Sequence, residues 1–176
     1  MIDVKQNLNE TEFGQLLGSF SCPQNSDVES FLKNKALRFD VTHNARTYLI
    51  LDEENIDWGI CAYFSISFKE IEIQQSCISK STIKKLDGIS KSAIRVRAFL
   101  LGQVAKNAKA NNPIKLHHIL EIIYAVLKEV QHNIGGRVLL LECEDNIKLI
   151  ELYERHGFSI LQKDDYVQMY QLFEPE

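Results

Sequence analysis

The feature that most constrains the fold is a strand–helix–strand pattern in the second half of the chain. Ala98–Ala105 is a mostly apolar run, as expected for a strand that is buried on both faces. A helix with an apolar stripe is predicted at 116–130, stopped by Gly135 and Gly136, and Arg137–Cys143 is a second apolar run. Two buried strands joined by a helix favour a right-handed crossover between parallel strands. We therefore predict a central parallel strand pair.

The hydrophobic pattern elsewhere adds antiparallel strands and further helices. Thr47–Leu51 and Trp58–Phe68 are predicted to be the two strands of a hairpin, because the second alternates apolar and polar residues and a polar segment separates the two. Two short strands are predicted at Phe158–Leu161 and Tyr166–Phe173. Helical spacing and cap signals predict helices at Thr11–Leu17, from the capping-box spacing of Ser26–Glu29 through Phe39, at Ser81–Leu86, and at Asn146–His156. The predicted fold class is α/β, a mixed and mostly antiparallel sheet with helices on both faces.

The composition excludes several classes of protein. With 45% hydrophobic and 25% charged residues, the 176-residue chain is predicted to be one globular domain over residues 1–176. Its formal charge of -4 gives no basic surplus for non-specific nucleic-acid binding. The four cysteines form no C-x-x-C pair, so neither a disulfide scaffold nor a metal site is expected. The absence of a signal peptide and of any apolar stretch near ~20 residues predicts a cytoplasmic protein without membrane contact.

Three segments resemble the GNAT-type N-acetyltransferases. The signature helix of that family reads approximately N-x-x-A-x-x-L-Y-E-x-x-G-F, and residues 146–158 have the Asn, the Leu-Tyr-Glu and the Gly-Phe at matching offsets. Leu100–Ala105 is similar to the cofactor-binding strand of the family, and parts of 31–67 are similar to GNAT toxins that acetylate aminoacyl-tRNA. The resemblance implies the GNAT acyltransferase fold, with acetyl-CoA as co-substrate and no metal.

The resemblance assigns catalytic roles that the residues themselves leave open. Tyr153 is implied to protonate the leaving thiolate of coenzyme A, and the alternative is a tyrosine that fills the apolar face of its helix. Glu142 is the best-placed acid to deprotonate the acceptor amine, and the alternative is a structural hydrogen bond. Asn146 is implied to bind the pantetheine arm, to act as a helix N-cap, or both.

The implied cofactor contacts lie on both sides of a lysine-rich segment. Backbone groups of Val104, Ala105 and Lys106 are implied to bind pantetheine, and an N–H near Gln103 or Val104 to polarise the thioester oxygen. His117 opens the following helix, where cofactor phosphate or solvent is expected. The family's phosphate-loop glycines are absent from residues 111–118, which leaves the N–H groups of the helix terminus and nearby lysine charges as phosphate contacts.

The predicted function is direct acetyl transfer from acetyl-CoA to an amine. The acceptor is left open between a small molecule, a protein and an aminoacyl-tRNA. Two alternatives remain. One is a degenerate GNAT domain that binds a protein or an acyl-CoA without turnover, and the other is the toxin of a toxin–antitoxin pair. The oligomeric state, including a homodimer, is also left open.

Overall fold

The computed structural model describes residues 1–109 and 113–173. Its strands are β1 (Arg46–Ile50), β2 (Ala62–Glu72), β3 (Arg95–Lys106), β4 (Val138–Cys143), β5 (Ser159–Lys163) and β6 (Val167–Leu172). Its α-helices are α1 (Ile2–Asn7), α2 (Glu10–Gly18), α3 (Ser26–Ser30), α4 (Ala36–Val41), α5 (Lys80–Asp87), α6 (Leu116–Ile134) and α7 (Ile147–Glu154). A π-helix (Phe31–Lys35) and a 3-10 helix (Ile56–Trp58) complete the described elements.

Within the described residues the strands form one six-stranded mixed sheet. The strand order is β1-β2-β3-β4-β6-β5. β3 and β4 are parallel, with Phe99–Leu101 opposite Leu139–Leu141, whereas β1/β2, β4/β6 and β5/β6 are antiparallel. The predicted parallel pair, the predicted hairpin and the α/β fold class are confirmed. None of the helices in the described parts of the chain is long and apolar enough to cross a membrane.

The chain divides into two compact units. The first comprises Met1–Ser67 and Gly102–Ala125, and the second comprises Phe68–Leu101 and Val126–Glu176. Each unit has an apolar cluster of its own among the described residues. The single domain predicted over residues 1–176 stays a prediction.

Tyr63 lies at the centre of the apolar cluster of the first unit. Its side chain is fully buried, and the edge of its ring meets Phe20 at a centroid distance of 5.2 Å. Its hydroxyl donates a hydrogen bond of 2.6 Å to the carbonyl oxygen of Val28, which satisfies the one polar atom of the ring. Burial raises the pKa of Tyr63. This tyrosine therefore joins β2 to α3 as a neutral, packed side chain.

Three expectations for the first unit need correction. The N-cap of the helix expected from Ser26 is Asn25, whose side chain accepts a hydrogen bond of 3.1 Å from the Val28 N–H. An Asn carboxamide caps as well as a Ser hydroxyl, so capping-box spacing did not locate the cap. The expected single helix is also divided into α3, the π-helix and α4. In β2 the first four residues are all buried, so this end of the strand is covered on both faces rather than half-buried.

The second unit is built around the apolar faces of β3, β4 and α5. Val96, Ala98, Val138 and Leu140 form one cluster with Ile83 and Leu86 of α5. Gly88 ends α5 in the left-handed conformation, and its N–H donates to the Lys84 carbonyl. The expected stop of α6 at Gly135 and Gly136 is confirmed, since the helix ends at Ile134.

Replacing Gly136 by alanine is expected to destabilise the protein by about 3 kcal/mol or more. Gly136 has a φ of 113°, and an added Cβ would lie 2.4 Å from the Cζ atom of Phe99. Gly135 is the matched control, because its φ is 78° but no described heavy atom lies within 4 Å of the added Cβ. Gly135→Ala should cost only about 1–2 kcal/mol. Urea denaturation of both variants measures the difference, and equal losses would contradict the packing argument.

Candidate functional site

The expected cofactor-strand residues lie at the C-terminal end of β3, in the first unit. Gln103, Val104 and Ala105 are half-buried, and Lys106 is exposed. The Oε1 atom of Gln103 is buried and has no hydrogen-bond partner among the described residues. A buried acceptor without a donor carries a free-energy cost that a bound donor would remove. The end of β3 therefore contains a polar group suited to a ligand.

Asn107, directly after β3, is a fully buried hydrogen-bond centre that sequence reasoning missed. Its Nδ2 group donates to the carbonyl oxygens of Ser19 (2.8 Å) and Ile60 (2.7 Å). Its Oδ1 atom accepts from the N–H groups of Ser21 (3.0 Å) and Lys109 (2.9 Å). All four hydrogen-bonding positions of the carboxamide are therefore filled. Asn107 holds the start of the segment that follows the expected cofactor strand.

The start of α6 has a different arrangement from the one expected. The Nδ1 atom of His118 accepts the backbone N–H of Lys115 at 3.2 Å, as the side chain of the third helical residue accepts the N-cap N–H in a capping box. His118 therefore orders the helix start, while His117 is exposed and contacts the His118 ring at a centroid distance of 3.9 Å. A phosphate contact of His117 stays a prediction. Residues 111 and 112 of the expected phosphate loop lie outside the described residues.

The second unit contains Asn146, Tyr153 and Glu142. Asn146 is the N-cap of α7, because its side-chain oxygen accepts a hydrogen bond of 3.0 Å from the Lys148 N–H. The capping role is thus confirmed, and contact with pantetheine stays a prediction. The side-chain Nδ2 group of Asn146 has no partner in the described parts of the chain, so it is available to a ligand.

Tyr153 lies on α7 with its ring packed and its hydroxyl unpartnered. The ring meets Phe158 edge-on at 5.8 Å, and the Phe158 N–H donates to the Tyr153 carbonyl oxygen across the turn at Gly157. The hydroxyl has no hydrogen-bond partner among residues 1–109 and 113–173. Burial, with a smaller contribution from the charge of the Cys143 thiolate, raises the pKa of Tyr153 to about 12. A half-buried tyrosine hydroxyl usually has a partner, so this one is a candidate for ligand contact.

Cys143 is the last residue of β4, and the charge of its thiolate contributes to the raised pKa of Tyr153. The thiol is buried, and burial together with the charges of Asp145 and Glu144 raises its pKa. At neutral pH the side chain is therefore an uncharged thiol and not an activated nucleophile. Within the described residues, no three His, Cys, Asp or Glu side chains are grouped as a metal ion would require.

Glu142 is held in a polar network within the second unit. Its carboxylate accepts hydrogen bonds from the Lys69 ammonium at 2.6 and 2.7 Å and from the Nε2 group of Gln168 at 2.7 Å. Gln168 in turn accepts from Gln162 at 2.9 Å. Both oxygens of Glu142 are therefore engaged, and accepting a proton would require its ion pair with Lys69 to open. The structural hydrogen bond is observed, and the base role of Glu142 stays a prediction.

Replacing Glu142 by glutamine distinguishes a general base from a residue that only forms a structural ion pair. The ion pair is partly exposed, so its loss should lower the free energy of unfolding by about 1 kcal/mol or less. Lys69→Met removes the same pair and should cost about as much. If Glu142 acts only through this pair, acetyl transfer by Glu142→Gln should stay within about threefold of wild type. A loss within the general-base range of about 10²–10⁴ in Glu142→Gln alone would instead establish the base role.

Comparisons with known proteins address the fold. Neither a protein-family model nor a curated protein sequence matches this chain. Among solved structures, AtaT complexed with acetyl-methionyl-tRNAfMet superposes with a TM-score of 0.71 at 18% identity, covering 89% of this chain and 86% of that chain. A tyrosine-to-phenylalanine mutant of KacT superposes with a TM-score of 0.70 at 17% identity, again covering 89% and 86%.

A third neighbour is a mutant of the AtaT toxin bound to the C-terminus of the antitoxin AtaR and to acetyl-CoA. It superposes with a TM-score of 0.66 at 14% identity and covers 89% of this chain and 84% of that chain. Such low identity establishes architecture only. The β3–β4 parallel pair, the α7 signature segment and these superpositions agree, and the chain has the GNAT fold that its sequence predicts.

Proposed function

We propose that this chain is an acetyl-CoA-dependent N-acetyltransferase that acetylates the α-amino group of an aminoacyl-tRNA by direct transfer. The observation that carries the proposal is the likeness in fold to AtaT, which has been solved with acetyl-methionyl-tRNAfMet and with acetyl-CoA. The unpartnered polar groups of Gln103 and Tyr153 support it, because both fall on segments that the sequence assigned to cofactor and chemistry.

In the proposed reaction the amine nitrogen attacks the thioester carbonyl carbon, and the carbon–sulfur bond then breaks. Backbone groups of Val104–Lys106 bind pantetheine, and an N–H near Gln103 or Val104 stabilises the negative oxygen. The electron pair of the broken bond goes to sulfur, and Tyr153 donates the proton that yields the free thiol of coenzyme A. The proton that the attacking nitrogen loses passes through solvent and restores the Tyr153 hydroxyl. Asn146 contributes its free Nδ2 group to the pantetheine, and His117 contacts a cofactor phosphate.

The ion pair of Glu142 favours an α-amine as the acceptor. A lysine side chain has a pKa near ~10.4 and needs a strong base to become nucleophilic at neutral pH. An α-amino group has a pKa near ~8, so a useful fraction is already uncharged. Because both Glu142 oxygens are engaged by Lys69 and Gln168, an acceptor that needs little help from a base fits this site best.

Two measurements distinguish an acetyltransferase from a module that binds acetyl-CoA without turnover. Acetyl-CoA at 100 times its Kd should stabilise the protein by about 2.7 kcal/mol, which a thermal-shift titration detects. The protein is then incubated with acetyl-CoA and charged tRNA, the ester is hydrolysed, and acetylated amino acid is measured by mass spectrometry. We expect acetylation by wild type. Cofactor binding without transfer would favour the binding module, and transfer only to small amines or proteins would exclude the tRNA acceptor.

We further propose that this activity makes the chain the toxin of a toxin–antitoxin pair, as the neighbour bound to AtaR suggests. Removing free α-amino groups from charged tRNA would block translation. Induced expression in a bacterium should therefore stop growth, and expression of Tyr153→Phe at the same level should not. Normal growth with the wild-type protein, in cells where it is acetylating tRNA, would contradict the toxin assignment.

A further inference from the structure

The second unit contains an open cleft rich in arginine where β3 and β4 begin and where α5 and α6 end. Its volume is about 950 Å³. Among the residues that the structure describes, it is lined by four permanent cations and His132 and by two carboxylates. The cations are Arg95, Arg97, Lys128 and Arg137, and the carboxylates are those of Glu70 and Asp87.

Two of these arginines lie near the start of the parallel β3–β4 pair. Phe99 pairs with Leu139, and Arg97 and Arg137 each precede this pair by two residues, with Arg137 directly before β4. Both line the same cleft, where like charges repel each other. Neither arginine makes an ion pair within the described residues. Among those residues, two guanidinium groups of the cleft therefore lack an ion-pair partner.

The carboxylates of the cleft are committed to other groups. Glu70 forms an ion pair with Arg95 at 3.4 Å. The Oδ2 atom of Asp87 accepts hydrogen bonds from the backbone N–H groups of Ile89 (3.1 Å) and Ser90 (2.6 Å). These bonds turn the chain after α5. Neither carboxylate forms an ion pair with Arg97 or Arg137 within the described residues.

Arg137 adds an observation that is independent of net charge. Its Nε atom is buried and has no hydrogen-bond partner among the described residues. Its guanidinium crosses Gly88, where an added Cβ would lie 2.2 Å from Nη1. A cation near the C-terminus of α5 is favourable, which accounts for its position but leaves the Nε hydrogen without an acceptor. The exposed Arg97 lies outside that explanation, since it is on a strand.

We propose that this cleft binds a phosphate-bearing ligand between Arg97 and Arg137. The planar guanidinium matches the oxygens of a phosphate with paired N–H donors, and an anion between two such groups removes their mutual repulsion. The cleft is distinct from the site of Tyr153, because neither Tyr153 nor Asn146 nor Glu142 is among the residues that line it.

Titration calorimetry at constant ionic strength tests the proposal, with sodium pyrophosphate as the first probe and excess acetyl-CoA present to fill any cofactor site. We expect binding that weakens at least about tenfold in Arg97→Gln and in Arg137→Lys, which keeps the charge but loses the guanidinium. Lys91→Gln is the matched control, an exposed cation of the same unit outside the cleft, and should bind as wild type does. Because Arg97 is exposed, its variant should fold even if the Arg137 variant does not.

Two further probes identify the source of the phosphate. Tighter binding of ADP than of a short single-stranded RNA indicates a free nucleotide, and the reverse indicates the RNA backbone. Either result supports phosphate binding in the cleft if Arg97→Gln weakens the binding of that probe. The titrations are repeated without acetyl-CoA. The proposal is overturned if none of the three probes binds, if Lys91→Gln loses as much affinity as Arg97→Gln, or if a probe binds only when acetyl-CoA is left out.

Discussion

Tyr153→Phe is expected to lower the turnover of acetyl transfer by about 10²–10⁴-fold, which corresponds to roughly 3–5 kcal/mol of activation free energy. The substitution keeps the ring that packs against Phe158 and removes only the hydroxyl. Since that hydroxyl has no partner among the described residues, stability should change by less than about 1 kcal/mol. Release of free thiol from acetyl-CoA measures the rate, and thermal unfolding measures the stability.

The raised pKa of Tyr153 determines the pH range over which its hydroxyl can donate a proton and how favourable the donation is. A hydroxyl with a pKa of about 12 keeps its proton throughout the usual assay range, so ionisation of Tyr153 should not reduce activity below about pH 11. Full transfer to a thiolate of pKa ~8.5 would be uphill by several kcal/mol. Burial also raises the pKa of a thiol, as it does for the Cys143 thiol. A coenzyme A thiolate that departs next to Tyr153 is therefore more basic than it is in water. Acid and leaving group are then better matched.

The control for this experiment is Tyr153→Ala. Removal of the half-buried ring should cost about 3–5 kcal/mol of stability if the ring behaves as a core aromatic. A rate for Tyr153→Phe equal to that of wild type would exclude the acid role. Tyr153 would then be a packing residue, and the thiolate would be protonated by water.

Asn107→Ala should be the most destabilising single change in the first unit, with an expected loss of about 3–5 kcal/mol. The substitution leaves two N–H groups and two carbonyl oxygens without the carboxamide that now joins them, at a position with no solvent exposure. Asn107→Asp should be nearly as damaging, because it replaces two donors with a buried negative charge. Chemical denaturation gives both values.

Asn133→Ala is the matched control for Asn107. Its Nδ2 group also donates to a backbone carbonyl, that of Glu129 at 2.8 Å, but the side chain is exposed on α6. Water can replace this exposed hydrogen bond, and alanine is the better helix former, so the free energy of unfolding should change very little. If both asparagine substitutions were equally mild, the hydrogen-bond centre at Asn107 would be unimportant for stability.

The sequence predicted best those elements whose signals are local. The start and end of α6 followed from an apolar stripe of helical spacing over residues 116–130 and from the two glycines after it, and the β3–β4 pair followed from the apolar runs on either side of that helix. The turn from α7 into Phe158 has a local basis too, because Gly157 has a φ of 88° and Phe158 is buried. Within each of these segments, period, cap and burial all indicate the same structure.

The features that could not be predicted depend on partners far away in the chain. Asn107 lies in a lysine- and asparagine-rich stretch typical of a solvated loop, yet its partners at Ser19 and Ser21 are 88 and 86 residues away. The ion pair of Glu142 with Lys69 spans 73 residues. A nearer signal was overlooked, since Asn9 and Glu12 have capping-box spacing and form that box at the start of α2. Likewise, that Arg97 and Arg137 line one cleft depends on the pairing of β3 with β4, which only the structure provides.

The division into two units has a consequence for the order in which this chain can fold during synthesis. The boundaries fall after Ser67, Leu101 and Ala125, which lie inside β2, β3 and α6 rather than in linkers. The first unit needs residues 102–125, which the ribosome adds only after residues 68–101 of the second. Folding domain by domain from the N-terminus is therefore unavailable to this chain. The first unit is complete only once residue 125 of the 176 has been made, so truncation after Ser67 or after Leu101 should yield an unfolded product.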